Sequence, residues 1–512
     1  MIVLESFKNK RVALFGLGGS GIATLQALIC GGADVFAWDD KEEVRRFAKE
    51  QLQNSIIDTQ NDKASLNFIE NAADQYFNEN HGCLIFQNLR ELDWTHIDVL
   101  ILAPGVPLTH PTPHWVVTLA QKAQVDIIGD IELFVRERTY YLKKHSLKER
   151  DIPFIAITGT NGKSTTTAFI DHLLKIAGQD VQMGGNIGTA ILALEPFKKN
   201  RIYVVECSSF QIDLAPSLNP TIGILLNLSP DHIDRHGSFA HYNAIKKRLI
   251  AKAHYALIGI EEKETRAIYD ALKSKNHKIY PISKKPYSEQ KKIVNFERGY
   301  FLDHLTLYEL NEVNNHIAKK RVSLKNVISL RGSHNAQNAM MGLACLDILN
   351  LKLDNIDAAF SSYQGLPHRM QQVRKIGSVL FVNDSKATNA EASAPALATF
   401  EHIYWIIGGV AKEGGISALK DFFPKIKKAY LIGDAADDFA KTIGDAFAVS
   451  KSKTLEKAVH EAAKDAAFDS TQGLFGENGE GVVLLSPASA SYDQFKNYGA
   501  RGDAFITLVN EL

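Results

Sequence analysis

Residues 152–165 read IPFIAITGTNGKST, an apolar run that enters a glycine-rich turn and ends in Gly-Lys-Ser-Thr. That order admits few folds, because a buried strand has to stop at the turn and a helix has to start just after it. Gly159 and Gly162 let successive backbone N–H groups turn toward an anion, Lys163 reaches terminal phosphates, and the Ser164 or Thr165 hydroxyl can hold Mg²⁺. Phe169, Leu173, Ile176 and Ala177 recur at helical spacing with Gly178 behind them, so residues 166–177 are expected to form the helix whose N-terminal dipole favours that anion. Ile157 stands where a standard phosphate loop has its first glycine, which makes this the shorter G-x-x-G-K-[ST] form used by a narrower set of ATP-binding proteins. The plain alternative is an ordinary strand–turn–helix with a surface lysine. It leaves the ordered glycines, lysine and hydroxyls unexplained.

A chain of 512 residues is too long for one hydrophobic core, and about three domains are expected. Residues 11–15 lead into GLGGSG, 33–38 end at Asp39-Asp40, and 99–102 end at Ala103-Pro104-Gly105, which gives a first domain over 1–127. A second, over 128–365, carries the phosphate loop, a strand at 202–205 ending at Glu206, and another at 221–226 ending at Asn227. Its Lys-rich stretch 261–322 is weakly patterned and reads as peripheral strands and loops rather than core. A third domain, 366–512, opens where Leu-Pro-His-Arg interrupts helix-like sequence and holds strands at 379–382, 403–407, 429–432 and 482–485. Strands alternating with helices imply an α/β fold of parallel sheets: a Rossmann-like first domain, a central P-loop mononucleotide-binding domain and a Rossmann-like third. Ligands in such sheets bind beyond the carboxyl ends of the strands.

Fifty-eight basic residues balance 58 acidic ones, so nothing in the charge points to a nucleic-acid groove or an anionic membrane surface. Cys30, Cys83, Cys207 and Cys345 are far apart and lack C-x-x-C spacing, which argues against a disulfide framework or a structural zinc site and fits a reducing cytoplasm. The opening MIVLESFKNK lacks the layout of a signal peptide, and no run approaches about 18 apolar residues. No membrane insertion is expected.

Gly16-x-Gly18-x-x-Gly21 follows a strand, opens a helix and has Asp39 at the end of the next strand, the pattern of a dinucleotide site. The same glycines admit another nucleotide diphosphate such as a UDP-sugar, and an ATP site downstream favours that reading. Three residues are candidates for metal chemistry. Glu206 in ECSSFQ sits at a strand end, where a carboxylate reaches a Mg²⁺ shared with Ser164. His232 in SPDHIDRHG is either a ligand or part of a salt-bridged loop with Asp231, Asp234, Arg235 and His236. Lys246 in YNAIKKR reads by itself as an exposed helix cation.

GLGGSG at 16–21, APGVPLTHP from 103, GDIELF from 129, GTNGKST from 159, GGNIG from 184, ECSSFQ from 206, DHIDRHG from 231, GSHNAQNA from 332, LPHRMQ from 366, NDSKATN from 383 and LLSPASASYDQFKNYGARG from 484 span nearly the whole chain in order. In these segments the sequence resembles the ATP-dependent Mur ligases of bacterial cell-wall synthesis, and NDSKATN with SPASASYDQF resembles the D-glutamate-adding branch. The resemblance implies three domains, for a UDP-substrate, ATP and an incoming amino acid. It also implies a bacterial, cytoplasmic, monomeric enzyme whose partners are UDP-N-acetylmuramoyl-L-alanine and D-glutamate.

By the same resemblance, ATP is held by Gly159, Thr160, Asn161, Gly162, Lys163, Ser164 and Thr165, with Asn335 and Asn338 near the adenine, Asp384 at the ribose and Arg369 at the γ-phosphate. Gly18, Ser20, Asp39, Gly105 and Asn186 face the UDP-substrate, and Lys386, Thr388, Lys412, Ser491 and Tyr498 face D-glutamate. Two Mg²⁺ ions fall to Ser164, Glu206, His232 and a carbamylated lysine. Alignment on Tyr242-x-x-x-Lys selects Lys246 for that role, whereas counting from His232 selects Lys247. Lys163, His232, Lys246 and Arg369 form the implied catalytic set, acting on an acyl phosphate made from the L-alanine carboxylate. That intermediate must be kept from water, so the domains are expected to close around it. Two positions depart from the family pattern: Ala411 precedes Lys412 where Asp is frequent, and Cys207 follows Glu206 where Leu is frequent.

Overall fold

The computed structural model describes every residue except 58–68, 72–74, 78–81, 276–277, 291–297, 312–315, 326, 331–332, 413 and 477–478. Three sheets organise the described residues. The first comprises β1 (Arg11–Phe15), β2 (Asp34–Trp38), β3 (Ile69–Asn71), β4 (Gln75–Phe77), β5 (Cys83–Phe86), β6 (Val99–Leu102) and β7 (Asp126–Ile128). Their order is β3-β4-β5-β2-β1-β6-β7, parallel except at β3–β4 and β4–β5. The direction of winding reverses between β1 and β6. Their carboxyl ends meet where the Ala103 N–H donates to the Phe15 carbonyl, 3.0 Å away, and open the crevice that such a reversal creates.

The second sheet contains β8 (Phe154–Thr158), β9 (Asp180–Gly185), β10 (Arg201–Glu206), β11 (Ile222–Leu225), β12 (Tyr255–Gly259), β13 (Ile279–Ser283), β14 (Arg298–Asp303), β15 (Thr306–Asn311) and β16 (His316–Ser323). Its order is β16-β15-β14-β13-β12-β11-β8-β10-β9, and β8, buried along its whole length between two parallel neighbours, is apolar up to its last residue, Thr158, for that reason. The third sheet holds β17 (Gln371–Ile376), β18 (Val379–Asn383), β19 (Ile403–Gly408), β20 (Ile426–Ile432), β21 (Ala448–Lys453) and β22 (Gly481–Leu485) in the order β17-β18-β22-β19-β20-β21. Alternate residues of its strands feed separate cores, with Leu380, Trp405 and Leu484 in one and Phe381, Tyr404 and Val483 in the other, as a pleated strand covered on both faces requires.

The chain forms two compact units, one of residues 1–303, 308–320 and 337–354, the other of 304–307, 321–336 and 355–512. The first unit carries the first sheet and β8–β14, the second carries the third sheet, and the boundary runs through β15 and β16. In the first unit one apolar core runs from Val12 and Leu14 of β1 to Phe154 and Ala156 of β8 and Tyr203 of β10.

Several expected elements shift. The helix after the phosphate loop is Lys163–Ile176, starting earlier than the apolar spacing indicates because its polar first turn carries the lysine and hydroxyls. Glu206 is the last residue of β10 rather than the one beyond it. The described part of 261–322 is not peripheral: Ile268, Tyr269 and Leu272 of the helix Lys263–Lys273, with Phe301 of β14, pack into the first unit's core. Its lysines lie on outward faces and mask a half-buried pattern. Strand β17 was not expected, since it is polar, pairs antiparallel with β18 and is exposed over its second half.

Candidate active site

The loop after β8 holds itself in shape. Gly159 and Gly162 have φ of 153° and 81°, values that L side chains rarely adopt, and Gly162 caps the helix that begins at Lys163. Asn227, just past β11, accepts with its Oδ1 from the backbone N–H groups of Thr160 (3.1 Å) and Asn161 (2.8 Å) and donates from Nδ2 to the Asn161 carbonyl (3.1 Å). The Thr160 hydroxyl meets the Ser229 N–H at 3.0 Å and the Tyr242 hydroxyl at 3.0 Å. Lys163 curls back, its Nζ donating to the Gly159 and Thr160 carbonyls at 3.0 and 2.8 Å. Ser164 is buried in the first helical turn and Thr165 is partly exposed beside it. Thr166 donates to Asn338 Oδ1 (3.0 Å), which brings the helix Ser333–Ile348 against the loop, and Asn335 is buried one turn earlier in that helix.

At the end of neighbouring β10, Glu206 is 2% exposed, and its Oε1 accepts from Asn186 Nδ2 at 2.8 Å. Its Oε2 is buried, and among the described residues no hydrogen-bond donor reaches it. A carboxylate oxygen left in that state is costly unless a cation faces it, so this group fits a hard divalent ion with oxygen preference. Lys246 is 1% exposed, contrary to the exposed cation that its pattern suggested, because the helix Phe239–Ala251 packs this face against β8. Its Nζ donates to the Gly159 carbonyl at 2.7 Å and to Thr158 Oγ1 at 3.2 Å and lies 4.8 Å from the centre of the Tyr242 ring. Burial first, and then the charge of Lys163, hold its pKa well below the usual lysine value. Lys247, the alternative, is half-exposed.

His232 has left-handed backbone (φ 51°) at the start of the short helix Ile233–His236, with Nε2 3.4 Å from Asp231 Oδ2 and its ring 4.9 Å from that of Phe210. His236 is buried, stacks on the Phe210 ring with centroids 5.2 Å apart, bonds Ser209 Oγ at 2.9 Å, and is driven down to a pKa of about 4 by burial. Among the described residues no three His, Cys, Asp or Glu side chains converge. A Mg²⁺ at Glu206 would therefore draw the rest of its shell from other oxygens, such as hydroxyls, water and bound phosphate.

In the crevice of the first sheet, Gly21 packs so closely on the Gly16 carbonyl that a Cβ would overlap it, while a Cβ on Gly18 or Gly105 would meet nothing within 4 Å. Ser20 is less free than its position suggests: its Oγ donates to Asp130 Oδ2 at 2.6 Å. Asp130 is buried, also accepts from Gln211 Nε2 at 3.3 Å, and has its pKa raised by burial. Asp39 accepts from the N–H groups of Leu17 (2.9 Å) and Lys41 (3.0 Å). The Gly105 carbonyl accepts from Arg235 Nη1 at 3.1 Å, and Asn186 lies at Glu206 rather than in the crevice, because it follows β9 of the second sheet.

In the second unit the expected acceptor residues gather at the carboxyl ends of the adjacent strands β18, β22 and β19. Lys386 and Thr388 follow β18, Lys412 follows β19 and is exposed, Ser491 follows β22 and is buried, and Tyr498 begins the helix Tyr498–Glu511. Lys386 Nζ lies 5.5 Å from the Tyr498 ring centre. Asp384 is buried, accepts from the Met370 N–H (3.1 Å) and Ser486 Oγ (2.8 Å), and is pushed up to a pKa of about 7 by burial, against the opposing charge of Arg369. The residues missing from the sequence-based set are those that hold others in place: Asn227, Tyr242, Asp130 and Gln211. Asn227 and Tyr242 stood in the sequence as a strand end and an alignment point without a role, and Gln211 left a signal as the N3 partner of Ser208 in a capping box.

Residues 157–346 match the Mur ligase middle domain family, and residues 368–488 match the Mur ligase glutamate ligase domain family. A protein of Bartonella henselae named UDP-N-acetylmuramoylalanine--D-glutamate ligase is 53% identical over all of this chain and 99% of its own length. One of the same name from Brucella abortus (strain 2308) is 51% identical over 99% of this chain and 97% of its own. Among solved structures, a UDP-N-acetylmuramoyl-L-alanyl-D-glutamate--2,6-diaminopimelate ligase shares the fold with a TM-score of 0.52 at 17% identity, over 82% of this chain and 94% of its own. The phosphate loop, the buried Glu206 and the full-length identity agree, and the chain belongs to the Mur ligase family.

Proposed function

We infer that this chain is an ATP-dependent ligase that adds D-glutamate to UDP-N-acetylmuramoyl-L-alanine in peptidoglycan precursor synthesis; its half-identical, full-length relatives carry the name UDP-N-acetylmuramoylalanine--D-glutamate ligase. The observation that carries the reading is the self-formed phosphate loop beside Glu206 Oε2, which no donor among the described residues reaches, on a chain similar to those relatives from end to end.

The L-alanine carboxylate is a poor acyl donor. One of its oxygens attacks the γ-phosphorus of ATP, the bond to the β-phosphate oxygen breaks, and ADP leaves an acyl phosphate. The D-glutamate amine then attacks the carbonyl carbon, the C–O bond to phosphate breaks, and the amine proton is lost. Two anions meet in the first step, so positioning and charge neutralisation do most of the work. Lys163 leaves its two loop carbonyls to follow the β- and γ-phosphates, and Arg369 faces the transferred group. Asn335 and Asn338 take the adenine and Asp384 the ribose. Gly18 and Gly105 leave open space for the UDP-substrate, Ser20 and Asp39 line that crevice, and Asn186 meets the substrate outside it, beside Glu206. Lys386, Thr388, Lys412, Ser491 and Tyr498 receive the acceptor dicarboxylate.

The enzyme uses Mg²⁺, which when bound would offset phosphate charge, and we assign its ligands to Ser164, Glu206 and His232. Lys246 is the further anionic ligand in this proposal: burial favours the neutral amine, whose lone pair adds to CO₂ and whose proton is lost, leaving a carbamate for a second ion. With ¹³C-bicarbonate, a carbamate carbon resonance should appear in the wild type and in Lys247→Arg and vanish in Lys246→Arg. The opposite pattern selects Lys247. Among the described residues no helix is long and apolar enough to cross a membrane, and we place a monomeric enzyme in the bacterial cytoplasm.

The deciding assay is phosphate release from ATP with Mg²⁺ and UDP-N-acetylmuramoyl-L-alanine, comparing D-glutamate with L-glutamate, L-alanine and meso-diaminopimelate. Release with D-glutamate alone, and a product heavier by one glutamyl residue, is the expected result. Release with another amino acid overturns the acceptor, and silence with all of them overturns the ligase reading.

A further inference from the structure

Arg501 lies in the first turn of the helix Tyr498–Glu511 and is 1% exposed. Its donors go to neutral oxygens: Nε to Ser385 Oγ (3.0 Å), Nη2 to the carbonyls of Ser385 (2.9 Å) and Ser489 (3.0 Å), and Nη1 to the carbonyl of Gly408 (3.4 Å). Ser385 Oγ passes the connection on by donating to the Tyr498 carbonyl at 2.8 Å. A guanidinium buried in this way is costly, and an apolar side chain would serve packing better. Burial pulls its pKa down to about 10, with Asp493 opposing the shift.

The bonded oxygens belong to the turns after β18 and β22 and to Gly408, the last residue of β19, from which the third turn starts. These turns depart from relaxed backbone, with φ of 129° at Gly408, 130° at Gly409 and 54° at Ala488. A Cβ at Gly409 would overlap the Ala490 carbonyl oxygen (2.1 Å) and crowd Arg501 Nη1 (3.2 Å), so glycine there keeps the turn close to both. The same turns carry Lys386, Thr388, Lys412 and Ser491, and the Ser385 link adds Tyr498.

We propose that Arg501 is the positioning residue of the amino-acid acceptor site, one buried fork of donors that fixes the three turns presenting the groups for an acceptor dicarboxylate. The proposal rests on the assignment of D-glutamate to these turns. Lysine keeps the charge but not the planar fork.

The test is steady-state kinetics on the full-length enzyme with Arg501→Lys and Ser385→Ala, beside thermal unfolding of each. Wild-type dependence on D-glutamate is measured first, and its absence overturns the acceptor assignment and this proposal together. Given that dependence, Arg501→Lys should raise the KM for D-glutamate roughly tenfold or more while the KM for ATP stays within about twofold. Ser385→Ala should shift the same constant about threefold in the same direction, and it decides the matter if Arg501→Lys does not fold. A lower melting temperature with an unchanged KM for D-glutamate overturns the proposal, because a merely structural role would produce it. An equal rise in both KM values overturns it as well.

Discussion

Asp384 has two hydrogen-bond donors, the Met370 N–H and Ser486 Oγ, and still titrates near 7, because complete burial penalises its anion more than two donors and Arg369 relieve it. Its reference value is 3.8, so the folded chain binds this proton more tightly than the unfolded chain does. The resulting stability is full below about 3.8 and is lost as pH rises through about 7. Asp384→Asn removes that dependence. In calorimetry without nucleotide, the melting temperature of the wild type should fall relative to the variant between about pH 4 and pH 7. Two glycines of one motif should separate in the same kind of experiment. Gly21→Ala forces a Cβ into the Gly16 carbonyl and should unfold the first sheet's loop or cost several kcal/mol, on the order of a strained core substitution. Gly18→Ala meets nothing within 4 Å, so the melting temperature should hold while the KM for the UDP-substrate rises. The glycines were legible in the sequence because backbone geometry demands them. Lys246 was legible only by resemblance, since nothing local in YNAIKKR tells which lysine the helix turns inward.

At the scale of elements, strand–loop–helix around Lys163 was readable because β8 is apolar up to Thr158 and the glycines mark its end. What fixes the loop was not readable, because Asn227 arrives from the end of β11 through hydrogen bonds 66 and 67 residues away in sequence. Asn227→Ala leaves Thr160 and Asn161 without that acceptor, and the KM for ATP should rise roughly tenfold, with a small fall in melting temperature. An unchanged KM for ATP would mean that the glycines alone shape the loop. The contribution of residues 261–322 was misjudged for a related reason: Ile268, Tyr269 and Leu272 are spaced for one helix face, but the stretch around them is rich in lysine and hides that face in its composition. Polar β17 had no alternation to read, being an edge strand exposed over its second half.

Across the whole molecule, three sheets were foreseen from strands that end in glycine or small polar residues, and three sheets are present among the described residues. Their grouping was not foreseen, because the core that joins β1 to β8 and β10 is made of residues some 140 to 190 positions apart, and no local pattern records such contacts. Cooperative units follow cores rather than sheets. Unfolding followed by calorimetry should therefore show two transitions, not three, and Asp384→Asn should move only the one belonging to the second unit. Three separable transitions would show that the shared core of the first unit contributes little.

Lys163 and the loop beneath it answer one another's hydrogen bonds. On the role proposed for this lysine, ATP would exchange those bonds for its own instead of supplying bonds to a loop that lacks them, and part of its gross binding energy would be cancelled in the exchange. The departure of ADP would run the same exchange in reverse, with the two carbonyls ready to take the lysine back.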